Sequence, residues 1–432
     1  MRTSLVSILF KLKGNQRACV FTEPLWGMSV NLCLPYASIF MLVLGIRDSG
    51  IGLIMSLGLL TQVGTGILSG LITDKYGRRR TATIFDLAAW SVPCFLWFIA
   101  SFMTGRATFY LFVTASIINA VRQIAENAWD CLLVEGAERE LIPKVYSLIQ
   151  TASNLSVLIA PVAAVLIAKT SIIIAMRILY LNGCVLMTTK TILVYVLSHE
   201  TAIGRRKMEE SKKTNLGVLL SGYVRVIKQA RQSKATMYAL TLTAIGSAIA
   251  VIPDTFWPIL VTQKLMVPIS FIPFFPMARS LLGILFYLTI IHRVSGTQSF
   301  RTPLLLSLGI YLLGQGLVAA IPAPLGSVPG QGVYVALVVC VVADSFGVSM
   351  LAMLTEALIA LVVDSEERSR IMALQRTAVM IFVAPFGWFG GMLSNLSRSL
   401  PFCLTSVLIM IMIGLTLWYY RHEPDKELKA AA

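Results

Sequence analysis

The segment GLITDKYGRRR runs from Gly70 to Arg80 between two long apolar segments and has the most distinctive pattern in the chain. Its two glycines are expected to have separate uses, because Gly70 lets two helices approach closely and Gly77 permits a tight turn. Asp74 is expected to pair with a helix end or an arginine. The basic residues that begin at Arg78 are expected to stay at the inner leaflet. The stretch therefore predicts a short loop between two membrane-spanning helices.

Composition indicates that the rest of the chain also folds in lipid. Of its 432 residues, 56% are hydrophobic and 13% are charged, whereas a soluble domain is roughly 25% charged. The mean hydropathy is +0.78. A helix needs about 20 apolar residues to cross roughly 30 Å of hydrocarbon. Windows of this kind predict twelve spans, near residues 19–46, 50–73, 81–103, 107–134, 145–168, 172–197, 236–262, 268–291, 302–322, 332–362, 371–393 and 400–420.

The longest polar stretch divides the predicted spans into six and six. The predicted organisation is a cytoplasmic N-terminal segment (1–18), a six-helix bundle (19–198), a cytoplasmic middle loop (199–234), a second six-helix bundle (235–420) and a cytoplasmic tail (421–432). Residues 133–161 and 361–385 also resemble each other, since each has a helix end, a charged turn and a span containing Ala-Pro. This match predicts a duplication, and parallel-repeat transporters bind substrate near the bilayer midplane between such halves.

Basic residues are distributed unevenly between the two sets of predicted loops. With the N-terminus inside, the outward segments hold only Arg47, Arg106, Lys169, Arg177, Lys264 and Arg398. The positive-inside rule therefore predicts a multi-pass protein of the cytoplasmic (inner) membrane with both termini in the cytoplasm. This bias accounts for the net charge of +15. The charge thus indicates an anionic inner leaflet as the partner and no nucleic acid.

The stretch quoted above resembles the signature loop of the major facilitator superfamily, G-x-L-x-D-R/K-x-G-R-R/K-R/K, at every specified position except Ile72. The resemblance implies an all-α membrane protein with twelve transmembrane helices in two pseudo-symmetric six-helix bundles. It also implies that the loop is a conformational latch between the halves and does not bind substrate. The implied gating residues are Gly70, Asp74, Gly77 and Arg78. The corresponding loop of the second half, residues 292–302, lacks the pattern.

Ionisable residues inside predicted spans are functional candidates, because burying each of them in lipid is costly. In the fourth span, Arg122, Glu126 and Asp130 are four residues apart and share one helix face. They are expected to form either a relay for protons or substrate or a structural ion pair between helices. Arg122 also fits the arginine of a second family motif, although Ala125 and Glu126 replace its Gln-Gly.

The second half contains a similar set of charges. Asp254 follows a helix-interrupting proline in the seventh span, and a pairing of Arg279 with Asp254 or Asp344 is expected. Glu356 of the tenth span aligns with Asp130 under the duplication. The predicted proton-coupling residues are Glu126, Asp130, Asp254 and Glu356.

Polar and aromatic residues of the spans are expected either to line a substrate cavity or to pack between helices and in interfacial belts. The predicted cavity residues are Asn31, Tyr36, Trp90, Arg122, Trp257, Arg279 and Asp344. Asp86 of the third span and Lys190 of the sixth are open to a functional or a structural pairing.

Cysteines, histidines and missing motifs disfavour other classes of protein. The seven cysteines lie in apolar runs without a CxxC pair, and the three histidines lie at polar boundaries, so no metal and no cofactor are predicted. The chain has no GxxxxGKS/T loop for ATP and no HExxH or GxSxG motif, so an enzyme is not predicted.

The predicted function is that of a monomeric secondary active transporter that moves a small solute by alternating access, with protons as the coupling ion. Efflux is favoured over an uptake symporter only by its frequency in the family that the chain resembles. A transport-like receptor or sensor is a further alternative, against which the short middle segment argues, since it is too small for an ordinary output domain.

Overall fold

The structure is a computed structural model that describes residues 12–135, 142–210, 233–294, 300–324, 329–362 and 368–422. All regular secondary structure in these ranges is helical, and twelve helices are long and apolar enough to cross a membrane. In chain order, these spans are Gly14–Val43, Asp48–Tyr76, Arg78–Ala100, Arg106–Val134, Thr151–Lys169, Ile172–Leu197, Lys234–Lys264, Ile269–Phe286, Arg301–Ala320, Gln331–Thr355, Thr377–Leu396 and Leu400–His422. Each overlaps the corresponding predicted span, so the predicted all-α fold of a multi-pass membrane protein is confirmed.

Contacts divide the chain into two compact units. The first is Met1–Ile46 with Leu57–Leu216, and the second is Arg47–Ser56 with Gly217–Ala432. The α-helices of the first unit are Gly14–Cys33, Ala37–Val43, Arg78–Asp86, Val92–Ala100, Arg106–Asn119, Arg122–Val134, Ile142–Ser156, Ala160–Lys169, Ile172–Leu197 and Ala202–Glu210. Those of the second unit are Lys234–Ile259, Phe274–Val294, Arg301–Ala320, Gln331–Val362, Arg368–Leu396 and Leu400–His422. Helix Asp48–Tyr76 belongs to the second unit up to Ser56 and to the first from Leu57 onward.

Within the first unit, the first span packs against the fifth and sixth, and the third packs against the fourth. A buried apolar cluster lies near the Gly70–Arg80 loop. It joins the first, third and fourth spans to the helix that leads into the fifth span. Its members are Leu12, Cys19, Val20, Ala82, Ala128, Leu132, Leu133, Val145 and Leu148. Several are small, which lets helix backbones approach closely in lipid.

Within the second unit, the ninth span packs against the tenth and twelfth, and the seventh packs against the eleventh. The start of the second span joins this unit through glycines, since a Cβ at Gly52 would collide with the carbonyl oxygen of Gly387. The Ser56 hydroxyl donates a 2.5 Å hydrogen bond to the carbonyl of Ala384. The contact places helix backbones against each other with only small side chains between them.

A proline accompanies the irregular stretch of the third span. The third span contains a π-helical segment, Leu87–Ser91, followed by Pro93. Because proline has no N–H, it cannot bond the carbonyl four residues before it, which here belongs to Ala89. That carbonyl instead accepts a 2.7 Å hydrogen bond from the Asn119 side chain. A cross-helix contact therefore replaces the missing backbone bond.

Candidate functional site

Three charged side chains of the second unit meet within the membrane-spanning segments. Arg279 Nη1 lies 3.2 Å from Asp254 Oδ1, and Arg279 Nη2 lies 3.9 Å from Asp344 Oδ2. The structure thus forms both pairings that the sequence suggested. The side chains differ in exposure, at 66% for Asp254, 34% for Arg279 and 1% for Asp344. One arginine therefore lies between a buried carboxylate and an accessible one.

The position of Asp344 is held by the ninth span. Gln315 Nε2 donates a 3.0 Å hydrogen bond to Asp344 Oδ1, while Gln315 Oε1 has no hydrogen-bond partner in the described part of the chain. A Cβ at Gly314 would lie 2.8 Å from Asp344 Oδ1, and a Cβ at Gly347 would lie 2.5 Å from the Tyr311 side chain. Two glycines therefore bring the ninth and tenth spans close enough to enclose this carboxylate.

Trp257 lies on the same helix as Asp254, three residues away, in a packed environment. Its side chain is 7% exposed, and its ring meets Phe275 edge-on with 4.4 Å between centroids. Its indole N–H has no hydrogen-bond partner among the described residues. Trp257 thus offers little surface in this conformation, and its place in a substrate cavity stays a prediction.

In the first unit, the predicted charged stripe begins at a break in the fourth span. The break separates helices Arg106–Asn119 and Arg122–Val134, and the Thr65 hydroxyl donates a 2.8 Å hydrogen bond to the Ala120 carbonyl within it. Arg122 Nη2 donates to Gln62 Oε1 at 3.2 Å, and Arg122 Nε lies 4.0 Å from Glu126 Oε1. The arginine and carboxylate are 32% and 48% exposed, so this pair is loose and accessible.

Three other predicted site residues make contacts of their own. The Asn31 amide donates to the Gly27 carbonyl of its own helix at 2.8 Å, and Tyr36 is fully buried. Trp90 lies in the π-helical segment and packs edge-on against Trp26, at 5.9 Å between centroids. The side chain of Glu356 lies outside the described part of the structure. Their roles stay predictions.

The Gly70–Arg80 loop is held by a network of ion pairs. Gly77 has φ +87°, a left-handed conformation that favours glycine, so the predicted tight turn is confirmed. Arg78 Nη1 lies 2.8 Å from Asp74 Oδ1, which confirms the predicted arginine partner of Asp74. Arg78 is buried at 4% exposed, and its Nε also lies 3.1 Å from Glu135 Oε1. Its expected position at the inner leaflet stays a prediction.

The segment after the sixth span completes this network. The Glu200 carboxylate accepts hydrogen bonds from the backbone N–H groups of Arg78 and Arg79, each at 3.0 Å. A carboxylate at the N-terminus of a helix is favourable because it satisfies free N–H groups and opposes the helix dipole. A Cβ at Gly77 would lie 2.6 Å from Glu200 Oε2. Gly77 is therefore required by the turn and by the bound carboxylate.

The expected role of Gly70 is wrong in this structure. A Cβ at Gly70 would meet no atom of the described residues within 4 Å, so no close approach of the described helices depends on it.

Sequence reasoning missed three carboxylates. Glu135 and Glu200 follow the ends of the fourth and sixth spans, where an acidic residue in a basic loop was an available signal. Glu23 lies inside the predicted first span and is 8% exposed. Like Asp254 and Asp344, it is an ionisable residue inside a predicted span, so the same reasoning makes it a functional candidate.

Comparisons with known proteins agree with this architecture. The family model of the Major Facilitator Superfamily matches residues 25–328. The chain is similar to the solved structure of the nucleoside transporter NupG, with a TM-score of 0.68 and 14% identity over 94% of this chain and 99% of that one. It is also similar to the inward-open xylose transporter XylE from E. coli, with a TM-score of 0.67 and 15% identity over 99% of each chain.

A third solved structure, the peptide transporter POT in complex with sulfate, has a TM-score of 0.66 and 13% identity over 99% of each chain. At such identities the likeness shows the fold alone. No curated protein sequence matches this chain.

Proposed function

Because the chain belongs to the Major Facilitator Superfamily, we propose that it is a secondary active transporter that moves a small solute across the cytoplasmic membrane by alternating access, with protons as the coupling ion. In this proposal the protein acts as a monomer, both termini face the cytoplasm, and the basic loops contact an anionic inner leaflet. The bias of basic residues toward one set of loops supports this orientation.

The observation that carries the proposal is the exposure of Asp254. Its side chain is 66% exposed although it lies in the seventh span. A carboxylate facing hydrocarbon is costly, so charged residues of spans face protein or water-filled cavities. We therefore infer that Asp254 and Arg279 border an aqueous path that substrate and protons enter.

The geometry supports an exchange of partners at Arg279. Asp344 is buried and also accepts a hydrogen bond from Gln315, so it serves as the fixed counter-charge of the guanidinium. Asp254 is accessible to protons, and a proton on it removes its attraction for Arg279. Arg279 then has N–H donors available for an anionic or polar group of the substrate. Loss of the proton restores the pair and expels that group.

The remaining predicted residues have supporting roles in this proposal. Glu126 beside Arg122 is the corresponding accessible pair of the first unit, and Asp130 and Glu356 are further carriers of protons. Asn31, Tyr36, Trp90 and Trp257 contribute to the substrate cavity. Gly70, Asp74, Gly77 and Arg78 belong to the gating loop, in which the ion pairs of Arg78 break and reform during transport.

The test is transport by purified protein in liposomes with an imposed proton gradient. The substrate panel contains nucleosides, sugars, peptides and cationic amphiphiles, and the gradient is applied in both directions so that efflux and uptake are distinguished. Asp254→Asn and Glu126→Gln are expected to abolish gradient-driven flux, as is a protonophore. The matched control is Glu210→Gln, whose carboxylate is exposed on the short helix Ala202–Glu210 and, within the described part of the chain, pairs with its neighbours Arg206 and Lys207.

Flux that survives both substitutions and the protonophore would exclude proton coupling. Binding of a panel member without flux under any gradient would exclude transport and favour a receptor. Asp344→Asn is expected to behave differently from Asp254→Asn, because it disturbs a buried pair and lowers thermal stability as well as flux.

A further inference from the structure

A second group of charges lies wholly inside the first unit. Asp86 of the third span and Lys190 of the sixth form an ion pair, and the Thr191 hydroxyl donates a 3.4 Å hydrogen bond to the same Asp86 oxygen. The Lys190 side chain is 6% exposed and that of Asp86 is 13% exposed. Glu23 of the first span is 8% exposed. The first and sixth spans run antiparallel between the hydrogen bonds of Asn15 with His199 and the contact of Ser29 with Gly183, which brings Glu23 level with Lys190. Three spans therefore bring two carboxylates and one amine together.

The charges of this triad do not balance. Lys190 is bonded to Asp86, whereas Glu23 makes no hydrogen bond or ion pair with any residue in the described part of the chain. With all three groups ionised, the triad carries one net negative charge. An isolated carboxylate in a low-dielectric interior is unfavourable and is neutralised by taking up a proton or a cation.

Among the residues that the structure describes, the other groups around Glu23 do not supply the missing positive charge. Cys19, one helical turn away on the first span, lies within electrostatic range of Glu23, Asp86, Lys190 and also of Asp130 on the fourth span. Asp130 adds negative charge. The fifth span also packs against the first, and its residues 145–168 contain no charged side chain.

The backbone beside Asp86 is irregular in a way that is common at functional sites. Asp86 is the last residue of helix Arg78–Asp86, and the π-helical segment Leu87–Ser91 follows it directly. Single-turn π-helical segments inside α-helices occur often at functional sites. Asp86 therefore lies at a point where the third span departs from the ordinary helical register.

We propose that Glu23 is a proton-binding site of the first unit and that Lys190 alternates between Glu23 and Asp86 as the proton enters and leaves. The structure has Lys190 paired with Asp86, which in this proposal is the state with the proton on Glu23. When Lys190 moves to Glu23, that proton leaves and Asp86 takes one up, so the triad stays neutral. The inference rests on the proposed coupling of transport to protons and assigns it a site distinct from Asp254.

The test measures protonation without any substrate. Infrared spectra of the purified full-length protein in lipid, at neutral pH, report the C=O stretch of a protonated carboxyl group. We expect this band in the wild type and its loss in Glu23→Gln. We also expect its loss in Asp86→Asn, because Lys190 is then free to pair with an ionised Glu23. Glu210→Gln is the control and should retain it, because its carboxylate is exposed on the helix Ala202–Glu210.

Asp86→Asn keeps the test decisive if Glu23→Gln fails to fold, since it leaves Glu23 in place. A band that persists in Glu23→Gln or in Asp86→Asn would overturn the inference, as would its absence from the wild type. A band that appears only when sodium is removed would assign the site to a metal cation instead. Because no substrate is needed, failure of transport refutes the proposed function, whereas failure of this band refutes only the role of Glu23.

Discussion

At the scale of single residues, three adjacent arginines that look alike in sequence have different environments. Arg78 is buried between Asp74 and Glu135. Arg79 donates to the Tyr195 carbonyl at 2.9 Å and lies over the Tyr195 ring. Arg80 is exposed. The position of each guanidinium follows from the turn at Gly77, which begins a new helix with Arg78 facing inward.

This difference predicts unequal effects of removing the charge. Arg78→Ala leaves the half-buried Glu135 without its cationic partner, although Thr201 still donates a hydrogen bond to it. Breaking a buried ion pair costs about 3–5 kcal/mol, so a loss toward the lower end is expected. Arg80→Ala removes an exposed charge and should change stability by less than about 0.5 kcal/mol. Thermal unfolding of both variants in the same detergent checks the difference. Equal melting temperatures would show that the ion pairs of Arg78 contribute nothing to the folded state.

At the scale of elements, proline and glycine decide how helices meet. Pro93 frees the Ala89 carbonyl for Asn119, and the pair links the third span to the fourth. Gly52, Gly387 and Gly391 let two helix backbones touch, since a Cβ at Gly391 would lie 2.5 Å from the Asp48 carbonyl oxygen. In lipid, such close packing replaces the hydrophobic force that holds soluble helices together.

Two glycines of one helix provide a matched pair for testing this packing. Gly52→Ala places a methyl group against the Gly387 carbonyl and is expected to destabilise the protein by about 1–3 kcal/mol. Gly64→Ala, on the same helix Asp48–Tyr76, meets no described atom within 4 Å and is expected to be neutral or stabilising. Unfolding by heat or by a denaturing detergent compares the two. A Gly52→Ala protein as stable as Gly64→Ala would contradict the close contact.

At the scale of the whole molecule, the spans and their loops define a topology that labelling can test. The background is Cys403→Ser, because Cys403 is exposed while the other cysteines are buried or half-buried. Added cysteines at exposed Arg106 and Lys169 are expected to react with a membrane-impermeant maleimide in intact cells. A cysteine at exposed Arg205 is expected to react only after the membrane is permeabilised. The reverse pattern would place the termini outside.

How much of the protein could be predicted from sequence differs between the fold and the site. The twelve spans, the turn at Gly77 and the pairing around Arg279 follow from local composition, backbone preference and the need to neutralise charge in lipid. The burial of Arg78 and the free space at Gly70 did not follow, because they depend on what neighbouring helices place there. The sequence also contained a signal for Glu23, a charge inside a predicted span, and for Glu200, an acidic residue in a basic loop. Neither residue was predicted as part of a site.

Membrane insertion and the family are thus properties of the sequence by itself, since hydropathy sums along the chain and the Gly70–Arg80 loop is contiguous. Which charged side chains pair with each other depends on how the whole chain folds. Lys190 and Asp86 are 104 residues apart in sequence, and Glu200 is 122 residues from Arg78. In hydrocarbon every charge must find a counter-charge, and several are available for each. Which of them meet depends on how the helices pack and rotate, and a list of spans does not contain that information.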